Sequence, residues 1–293
     1  EMELSDAERA HSLFLRAFVA GSHDDRITAR AMLHEALALS EATSSWLHLR
    51  MLRDEAWYDI EDGDLDRGEV IARQVIELAG PAHDGLSTSR ALTLLAQISH
   101  MRGDHEVAVG YLDAALDITT DSGDLENEVL VTSHLGIAHH LIADNTRSVD
   151  HYERACELYD RAALQALELG LTRIAAVTWC NLAQARLRLD DAEGCRGALR
   201  RAAPLVGLSS ETFEPRLYVL VEADLRVTTG DVESGLEFLG AVKNDPWLPA
   251  SDRQEIDRIL SRLDLPPERI AAGMEAGARR GFDDVAQSLL GGE

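Results

Sequence analysis

Three arginines, Arg50, Arg53 and Arg90, stand out in a chain that is otherwise strongly acidic. Its 293 residues include 28 Lys and Arg but 52 Asp and Glu, which gives a formal net charge of −24. Because a guanidinium group binds carboxylates in a bidentate manner, these arginines predict a site for a carboxylate or an acidic peptide. The alternative is that they pair with carboxylates of their own chain, such as Asp54 or Glu55.

The histidines raise the question of a metal site. His134, His139 and His140 lie close together in the sequence, and His100 stands 40 residues before His140. Two ligands on one helix face need a spacing of three or four residues, whereas His134 is five and six residues from the other two. We expect no carboxylate or cysteine at ligand spacing on the same helix. The sequence therefore predicts polar histidines, with no metal and no cofactor.

The remaining residue types do not indicate catalysis. The chain contains no phosphate-binding loop, nucleophile elbow or metalloprotease motif. Cys156, Cys180 and Cys195 lack the paired spacing that zinc and redox sites show. Because the chain has 52 acidic residues, two carboxylates that lie close together in the sequence do not indicate a catalytic pair. We therefore expect that this protein is not an enzyme.

The charge also limits the partners. A net charge of −24 repels phosphate backbones and anionic membranes, so we expect no direct nucleic-acid binding and no membrane binding. Such a field favours basic proteins or peptides, and its alternative role is solubility. The absence of a signal peptide and of a long apolar run predicts a cytoplasmic protein. Because the chain begins with Glu1 rather than Met, we expect a fragment of a longer protein.

Six aspartates mark the elements that must position these side chains. They stand 39, 40, 40, 47 and 40 residues apart, and a fixed period of this length is typical of solenoids and repeat arrays. The six are Asp25, Asp64, Asp104, Asp144, Asp191 and Asp231. A small residue lies eight positions before each of them, namely Ala17, Ala56, Ala96, Gly136, Ala183 and Ala223. Another lies four positions after each, namely Ala29, Gly68, Ala108, Ser148, Cys195 and Gly235.

The third repeat indicates the structure of one unit. Apolar residues at helical spacing occupy 91–100, polar residues interrupt them at 102–105, and the helical pattern resumes over 107–116. This pattern predicts two antiparallel helices joined by a tight turn. Small residues such as Ala96 and Ala108 would let the two helices approach closely. Each aspartate would cap the N-terminus of the second helix.

These positions resemble the tetratricopeptide repeat (TPR). Its leucine, small, alanine, bulky and alanine positions are occupied in the third unit by Leu95, Ala96, Ala108, Leu112 and Ala115. The resemblance implies an all-α fold, a right-handed α-solenoid of about six TPR-like helix pairs with a C-terminal helical cap. The period is longer than in the common repeat. In this respect the chain is similar to arrays in large bacterial signalling and transcriptional regulators.

The resemblance also implies a domain organisation. A superhelical repeat array would occupy 1–249, and capping helices or a tail would occupy 250–293. The repeat units lie near 10–47, 49–87, 89–127, 129–174, 176–214 and 216–245. Beyond the repeats, helical patterns run over 251–263, 267–280 and 282–290.

The interval of 47 residues after Asp144 adds about two helical turns to the fourth unit. No glycine or proline interrupts the helical pattern from Val149 to Leu169. We therefore expect the second helix of this unit to project beyond its neighbours.

In the TPR family, the first helix of each pair lines a concave groove that holds ligands. The groove positions lie six and three residues before the small residue, and one and four residues after it. The partner-binding residues predicted in this way are Arg50, Arg53, Trp57, Arg90, Gln97, His100, Ile137, His140 and Gln184. The lysines and asparagines of the family's carboxylate clamp are absent from these positions, so that function is not carried over.

The predicted function is that of a non-catalytic binding module. Its groove would hold a protein or peptide segment, and the module would act as a scaffold or sensor in a larger bacterial signalling or transcriptional regulator. Two alternatives stay open. The apolar groove positions Leu130, Ile137, Leu187 and Leu220 would enclose a small effector molecule. Otherwise the long helix of the fourth unit, or the C-terminal tail, would mediate self-association into a homo-oligomer.

Overall fold

The computed structural model describes residues 4–22, 25–40, 46–206, 214–245 and 248–291. Within these ranges the chain forms fifteen α-helices and no β-strand, which confirms the predicted all-α class. The helices are α1 (Asp6–Ser22), α2 (Arg26–Ser40), α3 (Trp46–Glu61), α4 (Leu65–Ala82), α5 (Gly85–Met101), α6 (His105–Ser122), α7 (Leu125–Thr146), α8 (Val149–Glu168), α9 (Thr172–Arg188), α10 (Ala192–Val206), α11 (Glu214–Thr229), α12 (Val232–Lys243), α13 (Ala250–Ser261), α14 (Pro267–Arg280) and α15 (Phe282–Leu290). Among these helices, none combines the length and the hydrophobicity that a bilayer-spanning segment requires. The helices form two compact units, Glu1–Ala138 and His139–Glu293.

The first unit is built from pairs of neighbouring helices. α1 packs on α2, α3 on α4 and α5 on α6, and α4 also contacts α5. Gly68 of α4 lies so close to α3 that a Cβ atom there would come within 3.2 Å of the carbonyl oxygen of Ala56. Two of the predicted small positions therefore meet where the helices of a pair are closest.

Tight turns and capping aspartates separate the two helices of a pair. Gly63 has a φ of +84°, a conformation that glycine adopts most easily. Asp64 follows it, and its carboxylate accepts a hydrogen bond from the backbone N–H of Arg67 at 3.2 Å. Asp25 and Asp191 accept equivalent bonds at 3.1 and 2.8 Å. The predicted capping role is confirmed at these three aspartates.

The regular spacing of capping aspartates breaks in the fourth pair. Asp144 lies inside α7, where it accepts a hydrogen bond from the hydroxyl of Tyr152 at 2.6 Å. The N-cap of α8 is Ser148, whose hydroxyl accepts a bond from the backbone N–H of His151 at 3.4 Å. The prediction that Asp144 caps a helix was therefore wrong.

The additional residues of the fourth pair are shared by its two helices. From cap to cap, the spacing is 44 residues from Asp104 to Ser148 and 43 residues from Ser148 to Asp191. α8 is one uninterrupted helix, as predicted. It has 20 residues and is thus longer than α4 and α6, which have 18 each. The predicted lengthening of the second helix therefore accounts for part of the insertion, and the rest lies in α7, which has 22 residues.

The second unit continues the paired arrangement and adds the C-terminal helices. α9 packs on α10 and α11 on α12, while α14 packs on α12 and α15 contacts α11, α12 and α14. A Cβ atom on Gly235 of α12 would come within 3.0 Å of the carbonyl oxygen of Ala223 on α11. Small positions again meet within a pair. The bounds of α13, α14 and α15 agree with the three helical patterns predicted beyond the repeats.

Glycines make the contact between α12 and α14 unusually close. A Cβ atom on Gly277 would come within 1.8 Å of the carbonyl oxygen of Glu237. One on Gly240 would come within 2.1 Å of the carbonyl oxygen of Met274. The backbones of the two helices therefore touch directly, and α14 covers one side of the last helix pair, as a helix at the end of a repeat array must.

Candidate partner-binding site

Two of the predicted groove residues, Arg53 and Arg90, line one cavity of the first unit, which we call the arginine pocket. α3, α5 and α7 are the first helices of successive pairs, and α3 contacts α5. The cavity between their side chains has a volume of about 300 Å³. It is lined by Arg53, Arg90, Thr93, Leu94, Asn127, Leu130 and His134.

Arg90 is a half-buried cation with no carboxylate partner among the described residues. Burial lowers the pKa of its guanidinium group, and the charge of Arg53 lowers it further. The charges of Asp124 and Glu126 raise this pKa, but neither residue forms an ion pair with Arg90. Because arginine stays protonated in proteins, the lowered pKa expresses an electrostatic cost of holding the charge there. A bound anion would reduce that cost.

Arg53 and Arg50 add positive charge near Arg90, since both lower the pKa of its guanidinium group. Arg53 donates one hydrogen bond to Asp54 at 2.9 Å. The guanidinium carbon of Arg50 lies 5.2 Å from the ring centre of Phe14. The Nε atom of Arg50 is buried and has no acceptor within the described ranges.

The carboxylates that the sequence suggests as internal partners, Asp54 and Glu55, neutralise only part of the positive charge of the three arginines. Asp54 pairs with Arg53, as the alternative interpretation predicts. Glu55 is instead engaged by two other arginines, of α2 and α4, at 3.0 Å each. Over the part of the chain that the structure describes, Arg50 and Arg90 have no ion pair. The arginine pocket therefore retains positive charge in a chain whose net charge is −24.

Trp57 lines a different cavity of the first unit, which we call the aromatic pocket. This cavity has a volume of about 370 Å³. Its lining residues are Phe14, Ala17, Phe18, Gly21, Arg26, Leu33, Asp54, Trp57 and Tyr58. Trp57 follows Arg53 by one turn of α3, and Asp54 belongs to the wall of this cavity while it binds Arg53. The structure thus places Trp57 beside the arginine pocket and not in it.

The other predicted residues of the first unit, Gln97, His100 and Ile137, line neither of these two pockets. Nδ1 of His100 lies 3.2 Å from Nδ1 of His105, and its Nε2 is buried without a hydrogen-bond partner. Burial, and then His105 and His134, lower the pKa of His100 to about 4. The ring is therefore neutral at pH 7. Gln97 and Ile137 are partly buried.

In the second unit, α13 lies against the predicted groove residues. Gln184 of α9 donates a hydrogen bond to Glu255 of α13 at 3.1 Å. Asp224 of α11 accepts one from Arg258 of α13 at 2.7 Å. Leu220, one of the predicted apolar groove positions, is buried in a hydrophobic cluster that includes residues of α13. A helix of the same chain therefore occupies the surface at these positions.

A buried ion cluster holds α13 in place. Arg188 of α9, whose side chain is 8% exposed, lies 3.2 Å from Asp224 and 2.8 Å from Glu255. Arg258 of α13 and Arg262, the residue directly after this helix, also pair with Asp224. Burial alone would raise the pKa of Glu255, but the hydrogen bonds and charges of Arg258 and Arg188 lower it to about 2.

His140 lies beside this cluster on α7. Its Nε2 is 3.8 Å from a carboxylate oxygen of Asp144, four residues later, so the expectation that no carboxylate stands at ligand spacing on this helix was wrong. Burial lowers the pKa of His140 to about 4. The neighbouring His139 contacts His151, with 2.8 Å between their Nδ1 atoms. In the described ranges, no group of three His, Cys, Asp or Glu side chains is arranged to hold a metal ion.

Asn127 is the polar residue of the arginine pocket that sequence reasoning missed. Its side-chain amide donates a hydrogen bond to the hydroxyl of Ser89 at 2.9 Å. It stands three residues before Leu130, which the sequence did place in the groove. Extending the groove positions by one helical turn toward the N-terminus would have found it.

Comparison with known proteins agrees with this architecture. Residues 87–161 match the family model of the tetratricopeptide repeat. This part of the chain therefore contains tetratricopeptide repeats. A search of curated proteins finds no match to the sequence.

Solved structures share the fold of this chain. One is a signal transduction ATPase with numerous domains and a tetratricopeptide repeat sensor from Pyrococcus horikoshii, with a TM-score of 0.65 and 14% identity over 96% of this chain and 44% of that one. A Rap protein complexed with Competence and Sporulation Factor has a TM-score of 0.70 and 12% identity, over 98% and 78% of the two chains. An assembly chaperone of RpL4 has a TM-score of 0.53 and 20% identity, over 90% and 99%. The chain thus spans less than half the length of the ATPase.

Proposed function

We propose that this chain is a non-catalytic module that binds acidic side chains of a protein or peptide segment in its arginine pocket. The observation that carries the proposal is the half-buried guanidinium of Arg90, which lies near Arg53 and Arg50 and has no carboxylate partner among the described residues. A carboxylate entering the pocket would receive charge-assisted hydrogen bonds in a bidentate geometry.

The second unit contains an internal example of this kind of binding. There, Glu255 of α13 is held by the guanidinium of Arg188 and the amide of Gln184. An acidic side chain of a separate helix is thus held by an arginine and an amide of a first helix. The arginine pocket offers the same groups in Arg90 and Asn127. This parallel supports an acidic segment of another protein as the ligand.

The proposal is tested by titrating the whole chain with a short Gly/Ser peptide that carries two adjacent aspartates and blocked termini. Isothermal titration calorimetry should detect binding, and the same peptide with asparagines should bind at least tenfold more weakly. Arg90→Gln should weaken binding of the aspartate peptide by about tenfold to a hundredfold, since hydrogen bonds to charged groups contribute about 1.5–3 kcal/mol.

Arg200→Gln is the matched control, because Arg200 is exposed on α10 and lines neither pocket. This variant should bind the aspartate peptide as the unchanged protein does. Equal affinity of the Arg90→Gln variant and the unchanged protein would show that the arginine pocket is not the binding site.

We further propose that the module serves as the sensor or scaffold of a larger, cytoplasmic bacterial regulator. Support comes from its likeness to an ATPase whose tetratricopeptide repeats form a sensor, and of whose length this chain spans 44%. Sequencing the complete reading frame is the test. An adjoining ATPase or DNA-binding module is the expected result, and a reading frame that contains only these repeats would contradict the proposal.

A further inference from the structure

The aromatic pocket presents exposed ring surface in a strongly acidic protein. The side chains of Phe18 and Trp57 are 62% and 42% exposed. The rings of Trp57 and Tyr58 meet edge to face, with an angle of 65° between their planes and their centres 5.1 Å apart. Phe14 forms the buried end of the cavity. Rings arranged in this way offer both faces and edges, which favours contact with another aromatic side chain.

Two charged side chains on the wall of the aromatic pocket are already paired. Arg26 lies 5.9 and 5.8 Å from the ring centres of Trp57 and Tyr58, and it pairs with Asp62 at 3.1 Å. A second cation would therefore compete with Arg26 for these rings. Asp54 pairs with Arg53, and its carboxylate can still accept a hydrogen bond. These walls favour an uncharged ring that carries an N–H or O–H donor.

The two pockets are close enough to hold one segment. The aromatic pocket lies between α1 and α3, whereas the arginine pocket extends from α3 to α7. Helices pack roughly 8–10 Å apart, so the pocket centres are about one and a half helix spacings, or roughly 12–15 Å, from each other. An extended chain rises about 3.3 Å per residue and covers this distance in about four residues.

We infer that the aromatic pocket binds a tryptophan or tyrosine side chain of the same partner segment whose acidic residue enters the arginine pocket, about four positions away in that segment. The ring N–H or O–H of that side chain donates a hydrogen bond to Asp54. This inference rests on the proposed function, because it needs the acidic residue to be bound first. It adds a sequence requirement to the partner, namely an acidic residue and a hydrogen-bonding aromatic residue at a fixed spacing.

The test uses the whole chain and amidated Gly/Ser peptides that carry two adjacent aspartates. About four positions away, on either side, the peptides carry tryptophan, tyrosine, phenylalanine or alanine. We expect the tryptophan peptide to bind about tenfold more tightly than the alanine peptide, a gain typical of a well-placed aromatic contact. We expect the gain to disappear when the two groups are moved to adjacent positions, because they then cannot reach both pockets.

Trp57→Ala should remove the gain from the tryptophan peptide and leave the affinity for the alanine peptide unchanged. The unchanged affinity also shows that the variant is folded. Trp46→Ala is the matched control, since Trp46 is 60% exposed on the same helix but lines neither pocket. That variant should keep the full gain.

The role of Asp54 is tested separately, by the affinity for the tyrosine peptide divided by the affinity for the phenylalanine peptide. This ratio should exceed one in the unchanged protein and fall to about one in Asp54→Ala, because the hydroxyl then loses its acceptor. Equal binding of the tryptophan and alanine peptides would overturn the inference and leave the proposed function standing. If none of the peptides binds, both are wrong.

Discussion

At the scale of single residues, Asp224 is a buried carboxylate of the second unit that pairs with three arginines. Its side chain is 2% exposed, and Arg188, Arg258 and Arg262 all pair with it. Removing the charge of Asp224 would leave the buried Arg188 and the partly exposed Arg258 with Glu255 as a remaining partner, and would take the carboxylate partner from Arg262. We expect Asp224→Asn to lower the free energy of unfolding by about 2–3 kcal/mol in a urea titration, the contribution of hydrogen bonds to charged groups.

Glu157→Gln is the control for this substitution. Glu157 pairs with Arg154 at 2.8 Å, and both side chains are exposed to solvent. An exposed pair contributes little to stability, so a change below about 0.5 kcal/mol is expected. If the Asp224→Asn variant were as stable as this control, the ion cluster would not be what holds α13.

His140 makes stability depend on pH. Its pKa is about 4 in the folded chain, against an ordinary value of 6.5. The unfolded chain therefore takes up a proton between pH 6.5 and pH 4 that the folded chain excludes. This contribution to stability is complete above pH 6.5 and is lost as the pH falls toward 4.

Between pH 7 and pH 5, the free energy of unfolding should therefore fall by about 2 kcal/mol more in the unchanged protein than in His140→Gln. Urea titrations of the two proteins at each pH measure the difference. Parallel dependence on pH in the two proteins would show that His140 titrates normally in the folded chain.

Sequence reasoning grouped Arg53 and Arg90, which line one cavity, because their groove positions follow from local helical spacing. It could not anticipate that Gln184 meets Glu255, which is 71 residues away. Repeat periodicity describes contacts between neighbouring units, whereas α13 lies outside the repeat and returns to α9 and α11. Charge pairing across such a distance leaves no periodic signal in one sequence. The groove positions predicted from the repeat are therefore a poorer guide in the second unit, where α13 packs against them.

At the scale of helices, the contact between α12 and α14 depends on glycine. A Cβ atom on Gly277 would overlap the carbonyl oxygen of Glu237, so any side chain must push the helices apart. We expect Gly277→Ala to destabilise the protein by about 1–3 kcal/mol, the usual cost of overpacking. Thermal unfolding measures the effect, and hydrogen exchange should show faster exchange in α14.

Gly197→Ala separates packing from helix propensity. Gly197 also lies inside a helix, α10, but a Cβ atom there would meet nothing within 4 Å. Alanine favours a helix over glycine by about 1 kcal/mol, so this variant should be more stable than the unchanged protein. A stabilising effect of both substitutions would mean that α12 and α14 are further apart than described.

The fourth pair shows how far helix caps can be predicted from a regular spacing. Asp144 keeps the 40-residue interval but lies inside α7, because α7 continues to Thr146 and the cap is Ser148. Both aspartate and serine are good N-caps, so residue type did not distinguish them. The choice depends on tertiary contacts of Asp144 with Tyr152 and Arg188. These contacts involve the following helices and are not visible in the local sequence.

At the scale of the whole molecule, the net charge opposes the ligand that the arginine pocket is proposed to bind. The net charge of −24 repels an acidic peptide at long range, whereas Arg90 and Arg53 attract it at short range. Salt screens the two effects differently, because the Debye length falls from about 30 Å at 0.01 M to about 8 Å at 0.15 M. Repulsion by the distant charges is therefore weakened first.

We expect the association rate of the two-aspartate peptide to rise by several-fold between 0.01 and 0.15 M salt, the reverse of the usual steering between opposite charges. The dissociation rate should rise as well, since the ion pairs in the pocket also weaken. Stopped-flow fluorescence with a labelled peptide measures both rates, and the asparagine peptide gives the control without charge. An association rate that falls with salt would show that the arginine pocket, and not the net charge, governs the approach of the peptide.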